Sequence, residues 1–592
     1  MKKNYAWMSM ALAMALVSVS CSDDDKKDLE IVETDANYVG KEVGNFSADE
    51  WYPGGELGTT ENTSGNCYSD ETPAVTNNKA LTDAFFQGEQ MFERQYTLNT
   101  GAFKGLGPAS VRRSCFDCHP EYGHGKRMDS YKTQYANGNG YLLVVYHPNT
   151  PGSNDGGYIG EVTGMPQTQA TSPFLPPIDE SQINLQWKHI SQMETSDIPA
   201  MQFPDGEKFD LIYPEISIPQ TAFNTLPKPE NYEVRLESTI GVIGTGLIDA
   251  IPSAEIAKQY AAEAEYFKNA GMNVSDYLNP SMWDAANNKM ASGAYYSPFG
   301  RDGKYTTGGV YADGTTFDPT TSDDSKKLLK RYTYALTRGS LQDGPGANAI
   351  WNITNVTRED RPCLYTTVAW ADCMANTQSV IDAIKKDPTS PYYADGTEAG
   401  IKNAVATLLN PNTNQFDNDI HNFTPEQSMD DFYAFMVWHR GLAIPRARNL
   451  NDPQVQQGKK LFMEWGCANC HRAKWTTGDD NYVTSKYIAD KPLPRYQNQT
   501  IYPYSDFIQH KLYMKNDIHG SWCRTTPLWG RGLSLINTGA EDRLHDCRAR
   551  NEVEAIMWHC YSKNSHAYSS AINFYKASKA DRDAVVKFLR SI

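Results

Sequence analysis

The chain of 592 residues lacks the features that would take it to nucleic acid or across a membrane. Lys and Arg number 55 against 71 Asp and Glu, a net charge of −16. No broad basic field is left to hold phosphates, so a nucleic-acid partner is excluded. The apolar run at the start is too short for a comfortable membrane span, and no other stretch is long enough to span a bilayer. A dinucleotide loop is missing too: Gly244-Thr245-Gly246 has Asp249 where the third glycine belongs, and no βαβ frame surrounds it. With 11 Cys there are too few for a disulfide-stapled miniprotein. Aromatic residues are not scarce: 12 Trp, 35 Tyr and 21 Phe can fill a large core, which rules out global disorder.

The N-terminus reads as an address. Lys2 and Lys3 precede an apolar run from Tyr5 to Val19, then Ser20-Cys21. A basic start, a short apolar core and a small residue before the cut describe an export signal over residues 1–20. Cys21 after the cut resembles the lipobox of bacterial lipoproteins, although Ser18 stands where Leu is usual. The acidic Ser22-Asp23-Asp24-Asp25 resembles the tag with which some Gram-negative bacteria send lipoproteins to the outer face. The expected location is the outer membrane, periplasmic or surface-exposed, with a lipid tether at Cys21.

Two short motifs carry the chemistry. Cys115-Phe116-Asp117-Cys118-His119 and Cys467-Ala468-Asn469-Cys470-His471 both fit C-x-x-C-H, the attachment signature of c-type haem. Each thiol adds across one vinyl group of the porphyrin, and the following histidine is carried under the ring to bind iron. With 11 Cys and 12 His in 592 residues, about 0.004 matches are expected by chance. A thioredoxin-like pair would lack a reason for His after the second Cys in both copies. Two covalent haems follow, with His119 and His471 as iron ligands.

Each motif follows a similar helix. Gly88-Glu89-Gln90-Met91-Phe92 precedes the first and Gly458-Lys459-Lys460-Leu461-Phe462 the second. A short amphipathic helix with Gly and Phe ahead of the Cys motif resembles the first helix of c-type cytochromes. Phe92 lies far from Cys115 while Phe462 is close to Cys467, so the first unit carries an insertion. Further helical patterns begin at Leu81 and cover 254–269, 376–386, 399–409, Ser428 to Leu442, the stretch opened by Asp452-Pro453, and Lys579 to Ile592. Strand signals are few, and 145–240 reads as loops. The expected fold class is mainly α, with two cytochrome-c-like haem domains. The expected divisions are a polar tether or collar over 21–80, a first haem domain over 81–445 with a large loop-rich insertion at about 140–430, and a C-terminal cytochrome c domain over 446–592.

Longer stretches give a family resemblance. Gly105-Leu106-Gly107-Pro108, Gly246-Leu247-Ile248-Asp249-Ala250-Ile251-Pro252, Gln457 through His471, Arg524 through Gly530, Leu544 through Arg550 and Glu554 through His559 are together similar to the di-haem oxidoreductase family, relatives of the bacterial di-haem cytochrome c peroxidases. The resemblance covers the chain from about 80 onward. It implies that His559 is the second ligand of the His471 haem, where the peroxidase relatives have Met, and that Asp249 stands at the position of an acidic residue that moves protons near an open haem. The family has Glu there, one methylene longer. Cys547 and Cys560 replace family glycines. Arg524 is a candidate partner for a haem propionate, and Trp438, Trp529 and Trp558 are candidate relays. For the His119 iron the second ligand stays open among His124, His147, His510, His545 and Met514. Calcium is implied by the resemblance alone.

Six cysteines remain after the lipid and haem sites: Cys67, Cys363, Cys373, Cys523, Cys547 and Cys560. An even remainder in an oxidising compartment implies disulfides. The expected activity is a peroxidase-like oxidoreductase in which the Cys467 haem receives electrons from a donor and the Cys115 haem faces the substrate. Two alternatives differ in class: a pure electron carrier with both irons closed, and a surface binding or iron-uptake accessory.

Overall fold

The computed structural model describes residues 46–96, 106–132, 140–295, 327–342, 347–359, 361, 363–413, 426–483 and 488–592, with the short segments 34–35, 41–42 and 310–311. The export signal, Cys21, the acidic tag and Gly105 lie outside the described residues.

Helix α1 spans Lys79–Glu93. The Asn78 side chain caps it by accepting the Ala80 N–H, and Leu81, Ala84, Phe85, Gly88 and Phe92 form one buried face at three- and four-residue spacing. Two antiparallel ribbons follow. Strand β1, Tyr141–Tyr146, will pair with β4; β2, Asn184–His189, pairs with β3, Ile212–Ser217, from Asn184↔Ser217 to His189↔Ile212. Strand β4, Glu233–Ser238, closes on β1 from Tyr141↔Ser238 to Tyr146↔Glu233. The chain then turns through the short helix α2, Thr245–Asp249, into α3, Ser253–Asn269. Helices α4, Val368–Ala375, α5, Gln378–Lys385, and α6, Glu398–Leu409, enclose a small core around Trp370, Ile381 and Ile401.

Helix α7, Met429–Gly441, starts at a Ser428 cap with Asp430 and Asp431 in its first turn and ends on His439 and Arg440. Acids at the N-terminus and bases at the C-terminus suit the helix dipole. Helix α8, Pro453–Glu464, opens with Pro at its first position behind the Asp452 cap. A short ribbon joins β5, Gln509–Lys511, to β6, Trp522–Arg524. Helices α9, Glu552–Trp558, α10, Tyr568–Lys576, and α11, Lys579–Leu589, complete the chain.

The expected mainly α class is corrected. The described residues are 34% helical and 13% strand, a mixed, loop-rich fold rather than plainly a pair of α-helical haem domains. The helices fall close to their expected spans; the ribbons were missed. Tyr141–Tyr146 is a continuous apolar run with five of six residues buried, so the alternation that marks a half-exposed strand is absent. The sheets are two-stranded among the described residues, with loops supplying the rest of the cover.

Two helix crossings organise the larger cores. Helix α1 lies on α7, with Phe92 against Trp438 at 4.3 Å between ring centroids. Helix α8 lies on α11, with Phe462 against Phe588 at 5.3 Å. Each crossing is close because a glycine sits at it. A Cβ on Gly88 would strike the Ala434 carbonyl, and one on Gly458 the Ala584 carbonyl. Residues from 46 onward pack on the later chain: Phe46 meets Phe588 at 6.1 Å, and buried Glu50 pairs with Lys459 at 2.7 Å. Thr59–Thr60 pairs in parallel with Ile444–Pro445.

Candidate functional site

Helix α8 ends at Glu464, and Gly466, at φ 82°, makes the left-handed turn that releases the chain into Cys467–Asn469. The His471 N–H then donates to the Cys467 carbonyl at 3.0 Å, folding the motif into one tight turn. His471 Nδ1 lies 2.9 Å from the Tyr504 carbonyl. A carbonyl only accepts, so the ring proton sits on Nδ1 and the Nε2 lone pair is left free. Burial pushes this imidazole down to a pKa of about 4, so it is neutral at neutral pH. That is the form a metal requires.

The first motif repeats the geometry. The His119 N–H donates to the Cys115 carbonyl at 3.0 Å, and Nδ1 lies 2.8 Å from the Ile240 carbonyl. Burial again lowers its pKa to about 4. Phe92 stands 6.0 Å from the His119 ring and Phe462 stands 6.1 Å from the His471 ring. The four motif cysteines carry free thiols, and burial raises the pKa of each.

His559 caps the C-terminus of α9. Its Nδ1 lies 2.7 Å from the Ala555 carbonyl, and burial lowers its pKa. It lines the same large cavity as Cys467, Cys470 and His471. Arg524, on β6, is 2% exposed and lines both this cavity and a smaller neighbour that also includes His124 and Trp529. None of its three guanidinium nitrogens has a hydrogen-bond partner among the described residues. Burial lowers its pKa only to about 10, so it stays charged. An uncompensated buried cation is costly unless an anion joins it. This donor set fits a haem: thiols to bond the porphyrin, neutral imidazoles for iron, and a cation for its carboxylates.

Other candidates have partners of their own. His124 holds the Gly125 carbonyl at 2.9 Å and the Tyr334 hydroxyl at 3.2 Å. His147 is exposed, on the Asn231 carbonyl. His510 lies 2.7 Å from Asp506, and His545 sits between Cys523 at 3.5 Å and Asp517 at 3.0 Å. His510 and His545 both line the large cavity, with His471. Met514 is buried in the C-terminal core. His119 lines neither of the two cavities, although Ile240, whose carbonyl holds its ring, lines the smaller one with His124. The histidine that sequence reading passed over is His439, buried in the last turn of α7. A close alignment of the two Gly-x-x-x-Phe helices and the helices that cover them could have flagged it.

Asp249 lines neither of these cavities. Its carboxylate accepts from Ser340 Oγ at 3.0 Å, the Leu341 N–H at 2.9 Å and Gln342 Nε2 at 3.1 Å, and pairs with Arg440 at 2.6 Å. Arg440 also holds Asp480 at 2.6 Å, so this is a buried ion-pair hub. Trp438 packs between α1 and α7, Trp529 lines the smaller cavity, and Trp558 lies under the Arg548 guanidinium at 4.7 Å. The expected disulfides do not form: Cys67, Cys373, Cys523, Cys547 and Cys560 are free thiols. Cys547 and Cys560 belong to different cores. Cys547 has φ 64°, a left-handed conformation that glycine adopts without strain, and its thiol donates to the Gly125 carbonyl at 3.1 Å.

Comparison with known proteins agrees with this chemistry. Residues 376–592 match the family model described as "Di-haem oxidoreductase, putative peroxidase". No curated protein matches the chain. The match takes in α7 and everything after it, including Cys467, Cys470, His471, Arg524 and His559. Residues 376–592 are thus similar to the di-haem oxidoreductase family, a likeness that supports haem as the cofactor and a redox role.

Proposed function

We propose that the protein carries two covalently attached c-type haems and works as a peroxidase-like oxidoreductase. Cys115 and Cys118 would hold the first haem, with His119 as iron ligand; Cys467 and Cys470 would hold the second, with His471 and His559 as iron ligands. The observation that carries this reading is one cavity bringing together the Cys467–His471 motif, His559 and an unpaired Arg524. When bound, haem supplies one-electron chemistry at iron and, on an open face, a seat for peroxide. The protein's residues do the rest. The Tyr504, Ile240 and Ala555 carbonyls fix the three imidazoles with Nε2 unprotonated. Arg524 supplies positive charge beside both cavities. With haem bound, the Cys467–His471 site would be the one to receive electrons from a donor and the Cys115–His119 site the one to face the substrate.

Two side-chain groups could hold a metal ion among the described residues, Cys470–Asp506–His510 and Asp517–Cys523–His545. Both mix sulfur and nitrogen donors, whereas calcium takes oxygen ligands, so they lend no support to a calcium site. The lipid anchor at Cys21 and the outer-membrane location belong to the same proposal. They are tested by Cys21→Ala, which should release the protein from the membrane fraction. Mass spectrometry of the purified holoprotein tests the haem reading. Two porphyrins per chain are expected, with Cys115→Ser or Cys467→Ser each weakening one attachment. A chain without porphyrin overturns it.

A further inference from the structure

We propose that His439 supplies the second axial ligand to the iron of the first haem, opposite His119, an assignment that rests on the covalent-haem reading above.

The first support is position. At the α1–α7 crossing, Ala434 and Trp438 close on Gly88, with Trp438 Cβ 2.6 Å from where a glycine Cβ would stand. At the α8–α11 crossing, Ala584 and Phe588 close on Gly458, with Phe588 Cβ at 2.8 Å. Ala434 thus matches Ala584, Trp438 matches Phe588, and the next residues, His439 and Leu589, match each other. Leu589 lines the cavity that holds His471 and His559. The same helical register turns His439 toward the corresponding space beside His119. Where the second unit has an apolar wall, the first has an imidazole.

The second support is an uncommitted ring. His439 is 4% exposed, and its Nδ1 has no hydrogen-bond partner among the described residues. Leaving such a group buried and unpaired is costly unless another partner joins it. His119, His471 and His559 each spend Nδ1 on a backbone carbonyl, whereas nothing comparable holds His439. The surroundings are aromatic: Trp438 lies at 5.4 Å and Phe435 at 5.7 Å between ring centroids. Phe92 links the two histidines: its ring lies 6.0 Å from that of His119 and 4.3 Å from that of Trp438, the neighbour of His439. A dry, unpaired imidazole near the iron's own histidine finds its natural partner in that iron.

It follows that the resting protein has two six-coordinate irons, and that any substrate at the first haem must displace His439. Spin state tests this without an activity assay. Electron paramagnetic resonance and visible spectra of the wild-type holoprotein should show both haems low-spin. His439→Ala should turn one of the two high-spin, open it to cyanide, and be restored by added imidazole. His439→Met, the milder change, should keep that haem low-spin but raise its potential, because a thioether favours ferrous iron. Two covalent haems by mass, with one already high-spin in the wild type, overturn the His439 assignment and leave the haem reading standing. An unaltered spectrum in both variants does the same. A chain with no porphyrin overturns both.

Discussion

The two Cys-x-x-Cys-His units solve the same packing problem and then part ways at the iron. In each, a glycine lets the leading helix press against a covering helix, and a phenylalanine four residues on stands about one ring-width from the motif histidine. The covering helix of the second unit, α11, presents Leu589 to the cavity, and the second imidazole, His559, comes from α9. The covering helix of the first unit, α7, carries His439 itself. On the proposal above, one kind of helix crossing is a wall in one unit and would offer an iron ligand in the other. The difference rests on one side chain at one register position.

The sharpest test of this contrast is removal of His559. His559→Gly should open the second iron and make that haem high-spin, while the first keeps its spectrum; unchanged oxidised and reduced spectra would remove His559 from the ligand set. Combined with His439→Ala, both haems should become high-spin, because the two ligands serve different irons.

Next in size is the shared crossing. Gly88→Ala and Gly458→Ala each drive a methyl into a backbone carbonyl that cannot retreat as a flexible side chain would. Each should cost about 1–3 kcal/mol, read as a lower midpoint in thermal or urea unfolding. If one is silent, the crossings are not equivalent, and the register that matches His439 with Leu589 fails with them.

Acid should weaken the haem-free chain through both units together. Burial holds His119 and His471 at about 4 in the folded chain, below the usual value near 6.5. Between those pH values the unfolded chain binds more protons, so stability rises with pH there. The stabilising effect is complete above about 6.5 and falls away toward 4. Each histidine contributes a slope of about 1.4 kcal/mol per pH unit. Urea midpoints measured from pH 4 to 7 should show the slope, and His119→Gln should flatten it by one histidine's share.

The smallest effect is expected from Arg524→Gln, which removes positive charge beside both cavities. A nearby cation favours the added electron, so both haem potentials should fall in a redox titration. A fall confined to one haem would assign Arg524 to that unit alone.

Much was readable from contiguous residues. The two Cys-x-x-Cys-His motifs are legible from five-residue spacing, and the helices from caps and three-to-four periodicity: Asp452-Pro453 opens α8, and Ser428 with two acids opens α7. The fold class was not readable in the same way. Tyr141–Tyr146 hides a strand in an unbroken apolar run, and Asn184–His189 finds its partner only across a long loop. Asp249 is legible in its own segment as a candidate proton carrier, but its ion pair with Arg440, far along the chain, shows only in the fold.

The sequence by itself determined where the two Cys-x-x-Cys-His motifs stand and which segments coil, because thiol spacing and helical period are properties of neighbours along the chain. Only the tertiary structure decided which imidazoles stand free, that Arg524 lies unpaired between two cavities, and that His439 shares a register with Leu589. Those are relations between residues hundreds of positions apart, set by how helices cross and which polar atoms burial leaves without partners.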